Sequence, residues 1–368
     1  MNQLIVDKIF KNFEKKDITP GCVIASISKE NPNYYYHWTR DASIVMRSIL
    51  REYQTDKHPR IFKQLIDFIN VESEFQRMSY QVNLGEPKFN VDLSLFREKW
   101  GRPQNDGPAL RGLLFLEMRD VFLNYSFLKS HLENIILQDT NYIVDNIQEP
   151  CFDLWEEIMG YHLYTRGVQY KFLKTLLEKN IFPSLNPVIE EKKNELYNLL
   201  QHHNITYTSF SLQGIKCREY DTSLLLLATH VDYDPEIVDI QNPKFRNYVQ
   251  KMLEYYQKEY PINNYFQNQF ILLGRYENDI YFGGNPWIIS SLSFYQLQLK
   301  YQEMKLPLDI PYEYILNFKK YLEEIPNLNI SEQVDKNNGE GVSARNLTWN
   351  YAEMLTFYKM LDWYKNKI

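Results

Sequence analysis

The chain has 368 residues, 44% hydrophobic and 24% charged, which places it among folded proteins of one large domain or two ordinary ones and excludes intrinsic disorder. A net charge of −6 excludes the basic surface that binding a polyanion such as nucleic acid requires. No apolar run spans a membrane, and the first ten residues break their apolar stretch with charge, unlike a secretory leader.

Helical periodicity dominates from the start. Ile5, Ile9 and Phe13 recur at i, i+4, i+8, giving an amphipathic first helix before the Thr19-Pro-Gly break. Ile44, Val45, Ser48 and Ile49 follow Asp41 in a second, and Ile61, Leu65, Phe68 and Ile69 make a third. The same reading holds for 106–122, 127–147, 157–178, 187–203, 219–231, 243–258, 286–304, 312–324 and 343–365. Only Ile205 to Leu212 alternates like a strand. An all-α fold follows, with twelve helices either paired into a closed toroid with a pocket at one end or stacked as an open solenoid.

Cys22, Cys151 and Cys217 have no metal-ligand spacing, and nothing requires two of them to form a disulfide. Asn124-Tyr-Ser and Asn204-Ile-Thr match the glycosylation sequon. Aromatic residues make up 15% of the chain, a content that suits stacking on sugar rings, although Tyr and Phe are mostly core or rim residues.

The chemically rich sequence lies between the helices. Asn31 to Asp41 runs Asn-Pro-Asn-Tyr-Tyr-Tyr-His-Trp-Thr-Arg-Asp. Asp41 can cap the next helix, or Arg40 and Asp41 can clamp adjacent sugar hydroxyls, one donating and one accepting, with Trp38 as a wall. Leu84 to Asp92 and Trp100 to Arg111 are dense in Gly and Pro, so they form specified turns. Asp153-Leu-Trp-Glu-Glu-Ile-Met-Gly160 packs three carboxylates and an indole together. Asp153 and Glu156 have the spacing of a capping box opening the next helix. Alternatively, like charges and the indole raise a carboxyl pKa, so that one of these groups holds a proton near neutrality. Further on come Arg275-Tyr-Glu-Asn-Asp279 with Gly283-Gly-Asn-Pro-Trp287, and then Ser331 to Tyr351, where Glu332 and Glu340 compete for a catalytic role.

These five blocks, in this order from about Gly21 to Tyr351, resemble the glucoamylase family, glycoside hydrolase family 15. His37, Val334 and Asn346 stand where that family usually has Thr, Tyr and Asp. The resemblance implies an (α/α)6 toroid, one catalytic domain over 1–368 without a starch-binding module. It implies an inverting exo-hydrolase releasing β-D-glucose from non-reducing ends of α-1,4-glucans. Glu156 would be the general acid, its pKa lifted by Asp153, Glu157 and Trp155, and Glu332, rather than Glu340, the general base. Tyr34, Trp38, Arg40, Asp41, Trp100, Asp153, Trp155, Glu157, Arg275, Gln333 and Trp349 would hold the sugar, with Asp279 orienting its loop. No metal or cofactor is implied, and the expected state is a monomer acting on oligosaccharide or polysaccharide, with no nucleic-acid or membrane partner. The compartment is left open between secretion and intracellular glycogen breakdown. Relatives on this scaffold cut α-1,6-glucans or trehalose, and others are regulatory subunits; the last reading predicts decay at the acid or base, and both are present.

Overall fold

The computed structural model describes residues 1–79, 83–203, 205–265 and 269–365. Thirteen α-helices lie among them. They are α1 (Asn2–Lys11), α2 (Thr39–Thr55), α3 (Pro59–Ser79), α4 (Asp106–Val121), α5 (Ser126–Asn146), α6 (Leu163–Lys179), α7 (Asn186–Gln201), α8 (Ser223–His230), α9 (Pro243–Glu259), the one-turn α10 (Pro261–Tyr265), α11 (Ile288–Glu303), α12 (Tyr312–Glu324) and α13 (Thr348–Lys365).

The ring is closed, not an open solenoid. Helices α2, α4, α6, α8, α11 and α13 pack each against the next, and α13 returns to α2. Between them in sequence come the outer helices, with α1 on α13, α3 on α2, α5 on α4 and α7 on α6. On α12, Phe318 stacks on Tyr295 of α11 at 4.1 Å. The inner helices have neighbours all round, which sets their composition. Every residue of α11 from Ile288 to Leu299 is buried, including Ser290, Ser291, Ser293, Gln296 and Gln298. Outer helices such as α9 and α12 bury one stripe, the pattern that makes an amphipathic helix legible.

Three expected helix starts are displaced by short strands and turns. The segment 157–162 is not helical: Met159–His162 (β4) pairs with Cys151–Phe152 (β3) and with Ser209–Ser211 (β5), so α6 begins only at Leu163. Asp153 therefore caps no helix; its carboxylate closes a turn instead. Gly341–Arg345 (β8) pairs with Ser331–Val334 (β7), which delays the last helix to Thr348. The helix expected from 219 starts at Ser223. The strand expected over 205–212 is present as β5, inside a four-stranded sheet completed by Lys216–Cys217 (β6). His37–Trp38 (β1) pairs with Lys88–Phe89 (β2), tying the first two rich loops together. Asp41 falls in the first turn of α2, whose N-cap is Trp38. All three cysteines are free thiols. Among the described residues no helix is long and apolar enough to cross a membrane. The sequon asparagine Asn204 lies outside the described residues.

Candidate active site

The segments leading into α2, α4, α6, α11 and α13 converge on a cavity of about 510 Å³. Its wall comes from the N-terminal ends of inner helices, where unpaired backbone N–H groups favour negative charge. Tyr34, Trp38, Arg40, Asp41, Trp100, Trp155, Glu156, Glu157, Arg275, Glu332 and Trp349 all line it. Of the expected residues, only Asp153 and Gln333 do not; both stand behind the wall. Glu340 is exposed near the tip of the β7–β8 hairpin and is absent from the cavity lining. His37 turns away from the cavity, its Nε2 lying 2.8 Å from the buried Glu72.

Asp153 builds the turn that presents Glu156. Its Oδ1 accepts from the backbone N–H of Glu157 at 2.8 Å and Ile158 at 2.7 Å, and its Oδ2 accepts from that of Trp155 at 3.0 Å. Arg218 donates to the same Oδ2. Burial opposes the charge of Asp153, but Arg218, His162 and the Ile158 N–H outweigh it and hold its pKa down to about 2. The tight turn puts Glu156 at φ +64°, in the left-handed region. Its Oε1 then receives three donors: Trp38 Nε1 at 2.8 Å, Gln104 Nε2 at 2.9 Å and Arg40 Nη2 at 3.4 Å. Oε2 takes no protein partner among the described residues.

Glu157 is tied down by cations. Arg275 Nη2 lies 2.8 Å from its Oε1, while Arg218 Nη2, at 2.7 Å, and the Tyr276 hydroxyl donate to its Oε2. Arg218 and Arg275 thus balance the charges of Asp153 and Glu157 on either side of Glu156. Arg275 is itself gripped by both oxygens of Asp279, at 2.8 and 2.6 Å. Arg40 is braced by Gln104 Oε1 at 2.8 Å and Asp106 Oδ2 at 3.1 Å, and its Nε stands 3.5 Å from Asp41. Burial pushes Asp41 up to about 6 despite Arg40.

Glu332 sits where the register of the β7–β8 hairpin shifts, and Ser343 opposite it has φ +65°. Irregularities of this kind re-aim side chains beside functional sites. The Ser343 hydroxyl and Gln333 Nε2, at 3.3 Å, donate to Glu332 Oε2. Burial pushes the Glu332 pKa up to about 7, against the opposing pull of Ser343, Arg275, Gln333 and Tyr34. The Tyr34 hydroxyl is also 3.0 Å from that of Tyr281.

Several participants escaped the sequence reading. Lys88, 2% exposed, sets its ammonium over Trp100 at 3.6 Å, Tyr36 and Phe96 at 4.1 Å and Trp38 at 4.6 Å. Burial lowers its pKa to about 8 although Glu156 and Glu98 act to raise it. It stands as a lone cation between Pro87 and Phe89. Lys88 and Gln104 lay inside stretches already singled out and Tyr281 between two of them, whereas nothing around Arg218 marks it. No group of three metal-ligating side chains occurs among the described residues.

Residues 3–359 match the family described as glycosyl hydrolases family 15. The chain belongs to that family. It is 31% identical to a probable glucoamylase of Schizosaccharomyces pombe, over 92% of this chain and 84% of the relative. It is also 31% identical to the intracellular, sporulation-specific glucoamylase of Saccharomyces cerevisiae, over 83% of this chain and 64% of that one. The solved structure of the Saccharomycopsis fibuligera glucoamylase superposes with a TM-score of 0.86 at 22% identity, covering 99% of this chain and 94% of the other. That of the Hypocrea jecorina glucoamylase gives 0.84 at 22%, over 97% and 70%. The family 15 chain described here is therefore a glycoside hydrolase, and its closed ring of helix pairs is the (α/α)6 toroid.

Proposed function

We propose that this glycoside hydrolase removes glucose from the non-reducing ends of α-1,4-glucans with inversion, Glu156 acting as general acid and Glu332 as general base. One observation carries the reading: two carboxyls from separate loops share one cavity and differ in their surroundings. Glu156, which lines the cavity, has one oxygen saturated by donors and the other without a protein partner among the described residues. Glu332 is buried, poised near 7, and steered by Ser343 and Gln333. In the reaction the Glu156 proton passes to the glycosidic oxygen as its bond to C1 breaks. Glu332 takes a proton from the water whose oxygen bonds to C1 from the opposite face.

A cavity within the range of small-molecule sites supports action at a chain end instead of along a chain. Trp38, Trp100, Trp155 and Trp349 supply apolar faces for the sugar, while Tyr34, Arg40, Asp41, Glu157 and Arg275 meet its hydroxyls. Asp153 and Gln333 support the two carboxyls from behind. The names of the relatives from the two yeasts favour a starch-like or glycogen-like glucan.

The raised pKa of Glu332 favours the opposite assignment at first sight, with Glu332 as the acid. A general base, however, works best when its pKa lies close to the working pH, so the elevation suits activation of water equally well. A substrate with a good leaving group separates the two. Hydrolysis of α-glucosyl fluoride needs no protonation of the departing atom, so it should survive Glu156→Gln and fail with Glu332→Gln; the reverse would exchange the roles. Glucose release from maltose, maltoheptaose, isomaltose and trehalose, assayed side by side, tests the linkage. A preference for isomaltose or trehalose would overturn α-1,4 action.

A further inference from the structure

Beneath the cavity the ring holds a buried carboxylate that the chemistry above does not use. Glu353, 4% exposed, lies one turn beyond Trp349 on α13. Its Oε1 accepts from the Trp349 indole N–H at 2.9 Å and stands 2.9 Å from His230 Nε2; its Oε2 accepts from Gln296 Nε2 at 2.9 Å. The Tyr164 hydroxyl lies 2.6 Å from His230 Nδ1. The assignment that satisfies every partner places the His230 hydrogen on Nε2 and lets Tyr164 donate to Nδ1. The His230 ring also packs against Trp349, with centroids 5.8 Å apart. Three inner helices, α8, α11 and α13, thus meet at one carboxylate, and α6 joins them through His230.

Stability alone gives little reason for this arrangement. Burying a charge carries a desolvation cost that apolar packing of similar volume avoids. Burial does act against the Glu353 charge, but His230, Gln296 and Trp349 outweigh it and keep its pKa below the ordinary value. A carboxylate can do one thing that leucine cannot, which is to fix the direction of an indole N–H. The indole it fixes lines the cavity.

We propose that Glu353 is a positioning residue: through the Trp349 N–H it locks the wall against which the sugar seats, and His230, Gln296 and Tyr164 tie that lock to three other inner helices. The inference rests on the reading of Trp349 as a sugar-contacting wall.

A double-mutant cycle tests it, using maltoheptaose and the wild type, Trp349→Phe, Glu353→Leu and the double variant. Glu353→Leu should lower kcat/KM about tenfold, and Glu353→Gln, which keeps an acceptor oxygen for the indole, should recover most of that loss. In the Trp349→Phe background, where no N–H remains to be held, Glu353→Leu should change kcat/KM by no more than about twofold. Equal losses in both backgrounds would overturn the inference alone, showing that Glu353 only fills space. A Glu353→Gln enzyme as impaired as Glu353→Leu would overturn it too. Trp349→Phe with wild-type kcat/KM would overturn the reading of the wall and the inference with it. If Glu353→Leu does not fold, Glu353→Asp, one methylene short of the indole, replaces it in the cycle with the same expected non-additivity.

Discussion

Trp38 donates its indole N–H to Oε1 of Glu156 at 2.8 Å, so a wall of the cavity also aims the proposed acid. An intramolecular hydrogen bond contributes roughly 0.5–1.5 kcal/mol, and two other donors share this oxygen. Trp38→Phe keeps the apolar wall and removes the donor. It should lower kcat/KM on maltoheptaose severalfold, up to about tenfold, with Tm little changed. An unchanged kcat/KM would detach Trp38 from the aiming of Glu156.

The pH dependence follows from Glu332. As a base it must be ionised, so kcat/KM should fall as pH drops through about 7, with Asp41, at about 6, adding to the same limb. Because these groups share one cavity, the limb reports the site and not one residue. Ser343 hydrogen-bonds the ionised form, which lowers the pKa. Ser343→Ala should therefore move the acidic limb to higher pH. A limb that stays in place, or moves down, would separate Ser343 from the titrating group.

The same elevation has a cost in stability. Glu332 binds its proton more tightly when folded, so its contribution is most favourable below the ordinary 4.5 and declines as pH rises to about 7. That shift corresponds to about 3 kcal/mol. Glu332→Gln removes the buried charge, so it should raise Tm relative to wild type at pH 8 and leave it nearly level at pH 4. Thermal melts at the two pH values check this. Equal differences at both would mean that the carboxyl is not strained by burial.

Arg218 compensates Asp153 and Glu157 together. Arg218→Met would leave Asp153 buried without its counter-ion, an uncompensated charge that should destabilise the fold by roughly 3 kcal/mol near neutral pH. The stability from Asp153 is complete above its ordinary 3.8 and is lost as pH falls through about 2, so the deficit should shrink in that window. Denaturant titrations at pH 7 and near pH 2.5 measure it. A deficit that does not vary with pH would place the role of Arg218 in packing against Tyr276 instead.

The helices were legible because apolar residues recur at helical spacing over almost every element, and the loops because Trp38-Thr-Arg-Asp41 and the 153–160 run concentrate aromatic and charged residues; closure of the ring was implied only by the family resemblance. The reading failed where distant residues decide. Asp153 and Glu156 fit a capping box as well as a turn; what settles the matter is β4 pairing with β5 and Arg218 reaching Asp153 from 65 positions away. The cations that balance Asp153 and Glu157 escaped for the same reason, since Arg218 and Arg275 arrive from other segments. The ring cage around Lys88 gathers residues from three stretches, and the shifted register that joins Glu332 to Ser343 is a property of paired strands. Local spacing encodes neither.

The most direct test of inversion is the anomeric form of the first glucose released. Proton NMR of maltoheptaose hydrolysis, recorded before mutarotation, should show β-glucose, because water activated by Glu332 enters opposite the departing chain. Initial α-glucose would contradict this, meaning that a carboxylate attacks the sugar directly and that Glu332 does not activate water.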